Sequence, residues 1–202
     1  MAFLISHRGN LTDIEPELEN TLQHISNALS KGFYVMIDIW AVSGGKLLAT
    51  GNTCPTYAIT PEFLKSNKVI CKARDVPTLE LLLDLGVHCF PEGLDNTILT
   101  SGGLIWTKPN STRITTRCIS TFPEHTHPDP TVHRNVICAG ICSNYIQTIK
   151  DAIDNDTKIR QEQSTSNDAR GTSNDARGTS SDARGTDTPT VTEQVIDYSD
   201  SF

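Results

Sequence analysis

The stretch FLISHRGNLTDIEPELENT, residues 3–21, decides how the rest of the chain is read. It opens with a short apolar run, Phe3 to Ile5, of the kind that forms a buried strand. The run ends in His7-Arg8-Gly9, an imidazole and a guanidinium ahead of a turn residue. A second polar knot, Glu19-Asn20-Thr21, stands just before Leu22, Ile25, Ala28 and Leu29, which are spaced as one face of a helix. Strand, polar loop and helix in that order make a β–α unit. An imidazole, a guanidinium and a carboxylate gather at the mouth of its strand.

The alternation continues along the chain. Strand patterns are read at 2–6, 33–40, 46–50, 68–71, 87–90, 104–107, 117–122 and 136–142, and helical patterns at 19–31, 61–66, 78–85 and 144–153. Thr78 is read as the N-cap of the third helix and Gly86 as its stop. Strands alternating with helices predict a parallel α/β sheet, open or closed into a barrel. A complete (β/α)8 barrel takes about 250 residues, whereas this chain has 202 including a tail. The expected fold is therefore a small or incomplete TIM (β/α) barrel, with several outer helices missing or reduced to loops.

The domain is expected to span residues 1–155. From 156 to 202 the composition turns to Ser, Thr, Asp, Asn, Gly and Arg, with three repeats of the TSNDARG type at 165–185. Their seven-residue period offers only Ala as an apolar residue, and a coiled-coil seam needs two large apolar positions per heptad. Such a segment cannot bury enough surface to offset its ordering entropy, so a disordered low-complexity tail is expected. Its end, VTEQVIDYSDSF, is either a frayed acidic terminus or a docking peptide for a protein partner.

The formal net charge of −7 argues against a nucleic-acid-binding surface and against adhesion to anionic membranes. No apolar run approaches the roughly 20 residues of a transmembrane segment. No basic segment followed by a long apolar stretch opens the chain, so no secretory signal is read. The six cysteines are spread singly through strand-like segments, as free thiols in a reducing, cytoplasmic setting would be. Cys138 and Cys142, downstream of His125, His127 and His133, match no common zinc spacing.

In a parallel α/β fold the C-terminal strand ends converge on one face. That face collects His7, Arg8, Asp38, Lys72, Arg74 and Glu92. An imidazole, carboxylates and cations together suit an anionic ligand, a divalent metal and phosphoryl chemistry.

The motifs ISHRGN (5–10), PELENT (16–21), GFYVMIDIW (32–40), HCFPEGLDNTILTSGGLIWT (88–107) and CAGICSNYI (138–146) resemble the glycerophosphodiester phosphodiesterase family. This family lies within the wider phosphatidylinositol-specific phospholipase C-like superfamily. The resemblance covers the body of the chain and leaves out the tail. It implies a TIM barrel that holds Mg²⁺ or Ca²⁺ among carboxylates and uses two histidines as general acid and base on a phosphodiester. Carried onto this chain, His7 and Arg8 are the catalytic candidates, and Asp38 with Glu19 the metal ligands. Arg8, Asn20, Lys72 and Glu92 are the phosphate- or ligand-binding candidates.

The chain departs from the pattern at several of these positions. Where the family carries Glu-x-Asp, Met36 precedes Asp38, and a thioether is a poor ligand for a hard cation. A His-Asp pair is replaced by Gly51-Asn52, a His-Ala-Lys by Lys72-Ala73-Arg74, and an aromatic-His pair by Pro91-Glu92. A positioned general acid or base is worth about 10²–10⁴-fold in rate. The expectation is thus a catalytically impaired or inactive member, a pseudoenzyme of lipid-type phosphodiester chemistry that keeps a pocket for a phosphate or small phosphodiester. The first alternative is an active, metal-dependent enzyme with a rewired site, in which His7 moves the proton and Asp38 works with Glu19 or Glu92 at the metal. Glu124 is a further possible ligand. The second alternative is a non-catalytic scaffold acting through its tail.

Overall fold

A computed structural model of the chain describes residues 2–43, 47–51, 54–66, 68–93, 97–108 and 113–171. Asn52 and the tail from 172 to 202, with the second and third repeats, lie outside the described residues. The chain falls into two units, Met1–Gln161 and Glu162–Phe202, and the first holds every strand found among the described residues.

The strands are β1 (Phe3–His7), β2 (Tyr34–Val42), β3 (Leu47–Thr50), β4 (Tyr57–Ile59), β5 (Val69–Ala73), β6 (Cys89–Pro91), β7 (Thr97–Leu99), β8 (Ile105–Thr107), β9 (Cys118–Thr121) and β10 (Gly140–Ser143). The helices are α1 (Leu22–Ser30), α2 (Pro61–Leu64), α3 (Val76–Asp84) and α4 (Ile146–Gly171), with short 3₁₀ segments at Pro123–His125 and Pro130–Asn135. All ten strands form one sheet. The run β6-β5-β2-β1-β10-β9-β8 is parallel throughout. β7 pairs antiparallel with β8, and β3 and β4 hang as an antiparallel ladder on β2.

The two ends of the parallel run come round toward each other. Ser101, in the turn between β7 and β8, donates its N–H to the Cys89 carbonyl at 2.8 Å, and its hydroxyl accepts from the Cys89 N–H at 2.9 Å. Phe90 of β6 stacks on Trp106 of β8 with ring centroids 4.5 Å apart. The result is a mixed α/β fold around a nearly closed, barrel-like sheet. Helices are sparse on its outside: a hairpin strand replaces one between β6 and β8, and 3₁₀ turns replace one between β9 and β10.

Two layers follow from strand parity. Ile5, Met36, Ile70, Phe90, Trp106, Ile119 and Cys142 point into the barrel and pack on one another. Val35, Ile37, Ile39, Val69 and Cys71 point outward, under Ile25 and Ala28 of α1, Leu82 of α3 and Ile146 and Ile149 of α4. Burial on both faces is why β2 reads as a nearly unbroken apolar run. The same alternation turns Asp38, two residues past Met36, into the barrel.

Several boundaries differ from those read in the sequence, each for a local reason. α1 begins at Leu22 rather than 19, because Thr21 is its cap and accepts from the His24 N–H at 3.2 Å. Asp75, not Thr78, caps α3 and accepts from the Thr78 N–H at 2.8 Å. The Thr78 hydroxyl accepts instead from Ala41 N of β2 at 2.8 Å, joining helix to sheet. β4 and β7 are three-residue strands that exist by pairing with their neighbours, and no alternating pattern announces them. α4 runs past 153 to Gly171, so residues 156–171 are helical, including the first repeat. The apolar spacing fades there; the side-chain pairs one turn apart, Gln147 to Asp151 at 2.8 Å and Lys150 to Asp154 at 2.5 Å, stiffen the turns that precede the extension. No described helix is long and apolar enough to cross a membrane.

Ile37 is wholly buried between β2 and the outer helices. Ile37→Ala should lower unfolding stability by about 3 kcal/mol, read as a shifted urea midpoint.

Candidate functional site

At the C-terminal end of β1 the backbone turns sharply to bring two loops together. Arg8 has φ 56° and Gly9 φ 98°, and Asn20 has φ 59°. A left-handed residue other than Gly costs about 1 kcal/mol or more, so the surroundings must hold it. Arg8 N donates to Met36 O at 2.8 Å, and Asn20 N donates to Arg8 O at 3.0 Å. A Cβ on Gly9 would stand 2.4 Å from the His24 ring, so only glycine fits beneath α1. The HRG and ENT motifs are thus two halves of one knot.

Asp38 lies at its centre with no exposed surface. Arg8 Nε reaches its Oδ2 at 2.6 Å, and Lys72 Nζ reaches Oδ1 at 2.7 Å. Arg74 stands 3.5 Å from Oδ1. Asn20 Nδ2 donates to Oδ2 at 3.0 Å and to the Gly51 carbonyl at 2.6 Å, while its Oδ1 accepts from Asp38 N. Burial alone would raise the Asp38 pKa, but Lys72 and then Arg8 outweigh it and hold the carboxyl below its ordinary value. Arg8 also binds Glu19 at 2.8 Å, and Glu19 accepts from Asn10 Nδ2 at 2.8 Å. Burial opposes the charge on Arg8, yet Asp38 and Glu19 raise its pKa above the usual guanidinium value.

A chain of directed hydrogen bonds holds His7. Glu124 accepts from Asn144 Nδ2 at 3.1 Å, Asn144 N at 3.0 Å and the Ser143 hydroxyl at 2.8 Å. A carboxylate can only accept, so the Asn144 amide presents its oxygen to the other side. That oxygen lies 2.9 Å from His7 Nδ1 and also accepts from Asn10 Nδ2. Nδ1 therefore carries the proton, and Nε2 is the basic nitrogen. Phe122, itself at φ 48°, meets the imidazole edge-on at 4.6 Å. Burial pushes the His7 pKa from 6.5 down to about 4, helped by the Arg8 charge and opposed by Asn144, Glu19 and Asp38. The ring is neutral at pH 7.

A cavity of about 350 Å³ opens above the barrel interior. His7, Arg8, Lys72, Glu92 and Lys108 bring polar groups to its wall, and Met36, Phe90, Ile98, Trp106 and Phe122 make it apolar elsewhere. Glu92, 42% exposed at its side chain, lies 2.7 Å from Arg74 and 3.5 Å from Lys72. Arg74 also lies over the Trp40 ring at 5.2 Å.

His7, Arg8, Asp38, Lys72, Arg74 and Glu92 meet at one end of the barrel, as the strand-end argument expects, and Glu19 and Asn20 join them there from the loop ahead of α1. Their parts differ. Glu19, Asn20 and Asp38 are buried beneath the cavity and bind side chains and backbone, so Asn20 is a brace rather than a ligand contact. Asp38 and Glu19 do not converge on a space for a cation, because Arg8 stands between them. Among the described residues no three or more His, Cys, Asp or Glu side chains cluster as a metal site would require. Glu124 serves Asn144 and Ser143 instead of an ion. All six cysteines are free, and Cys142 packs inside the barrel.

Gly51 is closed to any side chain, since a Cβ there would meet the Cys54 carbonyl oxygen at 2.0 Å. Trp106, Phe90, Lys108 and Asn10 also belong to the site and are not among the residues expected from the sequence. The signal available for the first three was their position at the C-terminal ends of strands. Nothing local marks Asn10.

Comparison of the chain with protein-family models, curated proteins and solved structures finds no match.

His7 makes stability depend on pH. Its folded pKa is depressed, so between about 4 and 6.5 the unfolded chain binds a proton that the folded chain does not. This contribution is complete above 6.5 and is lost as the pH falls toward 4. Going from pH 7 to pH 5 should remove on the order of 2 kcal/mol through this residue. His7→Asn, which keeps a donor for Asn144, should flatten that part of the profile in urea unfolding. His88, whose pKa burial also lowers, acts in the same direction and remains in both proteins.

Proposed function

We propose that the domain is a reduced TIM-type barrel of the glycerophosphodiester phosphodiesterase kind that binds a phosphate-bearing anion and turns it over weakly or not at all. One observation carries the reading: the Lys72 ammonium stands between Asp38 and Glu92, 2.7 and 3.5 Å away. The resemblance would put a Mg²⁺ or Ca²⁺ at Asp38. A hard divalent cation needs several oxygen ligands, but both Asp38 oxygens already serve cations and Met36 offers only a thioether. The residues present do not fit the metal. An incoming cation would also face Lys72, Arg8 and Arg74 at short range in a site of low dielectric.

The proton chemistry is similarly incomplete. His7 is held with a basic Nε2, but the position of the second imidazole is Gly51, closed by the Cys54 carbonyl. Anion binding keeps its support. Arg8, Lys72 and Lys108 face the cavity against Glu92 as the carboxylate in its wall. A cytoplasmic location and a protein partner for the tail belong to the same proposal; free, mostly buried thiols favour the first.

The orientation of His7 favours one other reading, an enzyme in which Nε2 takes a proton and Lys72 stands in for the metal charge. One set of measurements separates the two. Inorganic phosphate and glycerophosphodiesters should raise the melting temperature equally with Mg²⁺, Ca²⁺ or chelator present, and Lys72→Met should abolish the shift. Turnover that is lost in His7→Ala would establish the enzyme and overturn the impaired reading. Absence of any anion-dependent shift would overturn both.

The same geometry makes point reversal insufficient. Met36→Glu with Gly51→His and Asn52→Asp should yield no metal-dependent turnover, because the Cys54 carbonyl closes the space beside residue 51. The expected result is a less stable protein that remains inactive in a phosphodiester assay.

A further inference from the structure

We propose that the cavity takes a phosphate ester of a flat, apolar alcohol, and that its phosphate binds by displacing the Glu92 carboxylate from Lys72 and Arg74. The inference rests on the anion-binding reading above and adds what the rest of the ligand is and what occupies its place beforehand.

Charge comes first. Arg8, Lys72 and Arg74 converge on Asp38, and of these three cations Glu19 engages Arg8. The cluster carries three cations against two buried carboxylates until Glu92 is counted. Glu92 differs in kind from the other two. Its side chain is 42% exposed, lies just beyond β6 and forms part of the cavity wall. A carboxylate with its oxygen 2.7 Å from a guanidinium and 3.5 Å from an ammonium occupies a place suited to a phosphate oxygen. It can swing into water at small cost, whereas Asp38 cannot.

The body of the ligand follows from register. Lys72 of β5 is paired with Phe90 of β6, so a phosphate at Lys72 has Phe90 beside it. Phe90 and Trp106 lie stacked on each other, 23° from parallel, and line the same cavity as Met36, Ile98 and Phe122, so much of its wall is apolar and aromatic. A polyol such as glycerol would lose water against those surfaces and gain few hydrogen bonds. A planar ring would gain burial and stacking there. A cavity of about 350 Å³ has room for a fused aromatic ring with its phosphate.

Calorimetric titration of the full chain with inorganic phosphate, glycerol phosphate and naphthyl phosphate tests both parts. Naphthyl phosphate should bind about tenfold or more tighter than the other two. Glu92→Gln, an exposed and conservative change, should tighten all three by about tenfold at low salt, with a larger dependence on salt, because no competing ion pair is screened alongside the anion. Trp106→Leu should weaken naphthyl phosphate and leave inorganic phosphate unchanged. The three anions binding alike would overturn the apolar-alcohol assignment while the anion pocket stands. Unchanged or weaker binding in Glu92→Gln would overturn displacement. No binding of any anion, even to Glu92→Gln, would remove the anion-binding reading together with this one. The wild-type ligand series decides the first point even if Trp106→Leu fails to fold.

Discussion

Asp38 is a carboxylate without solvent contact on the inward face of β2, and the architecture of the barrel mouth follows from how it is held. A buried charge left unpaired costs several kcal/mol, and removing one partner of such a pair costs about 3–5 kcal/mol. Its partners come from three places in the chain: Arg8 past β1, Lys72 on β5 and Asn20 ahead of α1. Arg8 and Asn20 reach it only from left-handed backbone conformations. The ion pairs and the strained turns thus sustain each other. The turns bring the partners in, and the charge holds the turns.

This saturation also sets what the pocket can do. A carboxylate that meets an ammonium, two guanidinium groups and an amide has no lone pair left for a further cation. The positive charge of the site is built into the chain at Lys72 and does not depend on a bound ion. Beside it, a tautomer-specific imidazole is supported by Glu124 and Asn144, which follow β9 and β10. On the proposed reading such a site attracts an anion and orients it, while Gly51 stands where the family pattern has a second imidazole. On that same reading recognition, which needs fewer positioned groups than turnover, is what remains.

The sparse outer helices belong to the same economy of structure. α1, α3 and α4 cover the strands that carry Asp38, Lys72 and His7, and the outward layer there is largely apolar. On the β6–β8 side a hairpin and turns suffice, because Phe90 and Trp106 close the interior with large rings. Those rings both seal the barrel and line the cavity.

The sequence by itself determined the alternation of strands and helices, the gathering of His7, Arg8, Asp38, Lys72 and Glu92 at one sheet end, and the shortage of outer helices. These depend on periodicity and on side-chain parity along a strand, which are local. It also marked Met36 and Gly51 as places where the resemblance fails. Tertiary structure alone decided that Lys72 and Arg8 take up both oxygens of Asp38, that Asn20 braces rather than binds, and that Asn144 fixes the proton on His7. It alone showed that Gly51 is sealed by Cys54, and that α4 extends beyond its apolar pattern. Each of these depends on which groups meet across large sequence separations, and on the fact that a buried carboxylate is satisfied by whichever donors the fold delivers to it. Residue identity names a carboxylate; only its neighbours in space decide whether it is a metal ligand or a counter-ion.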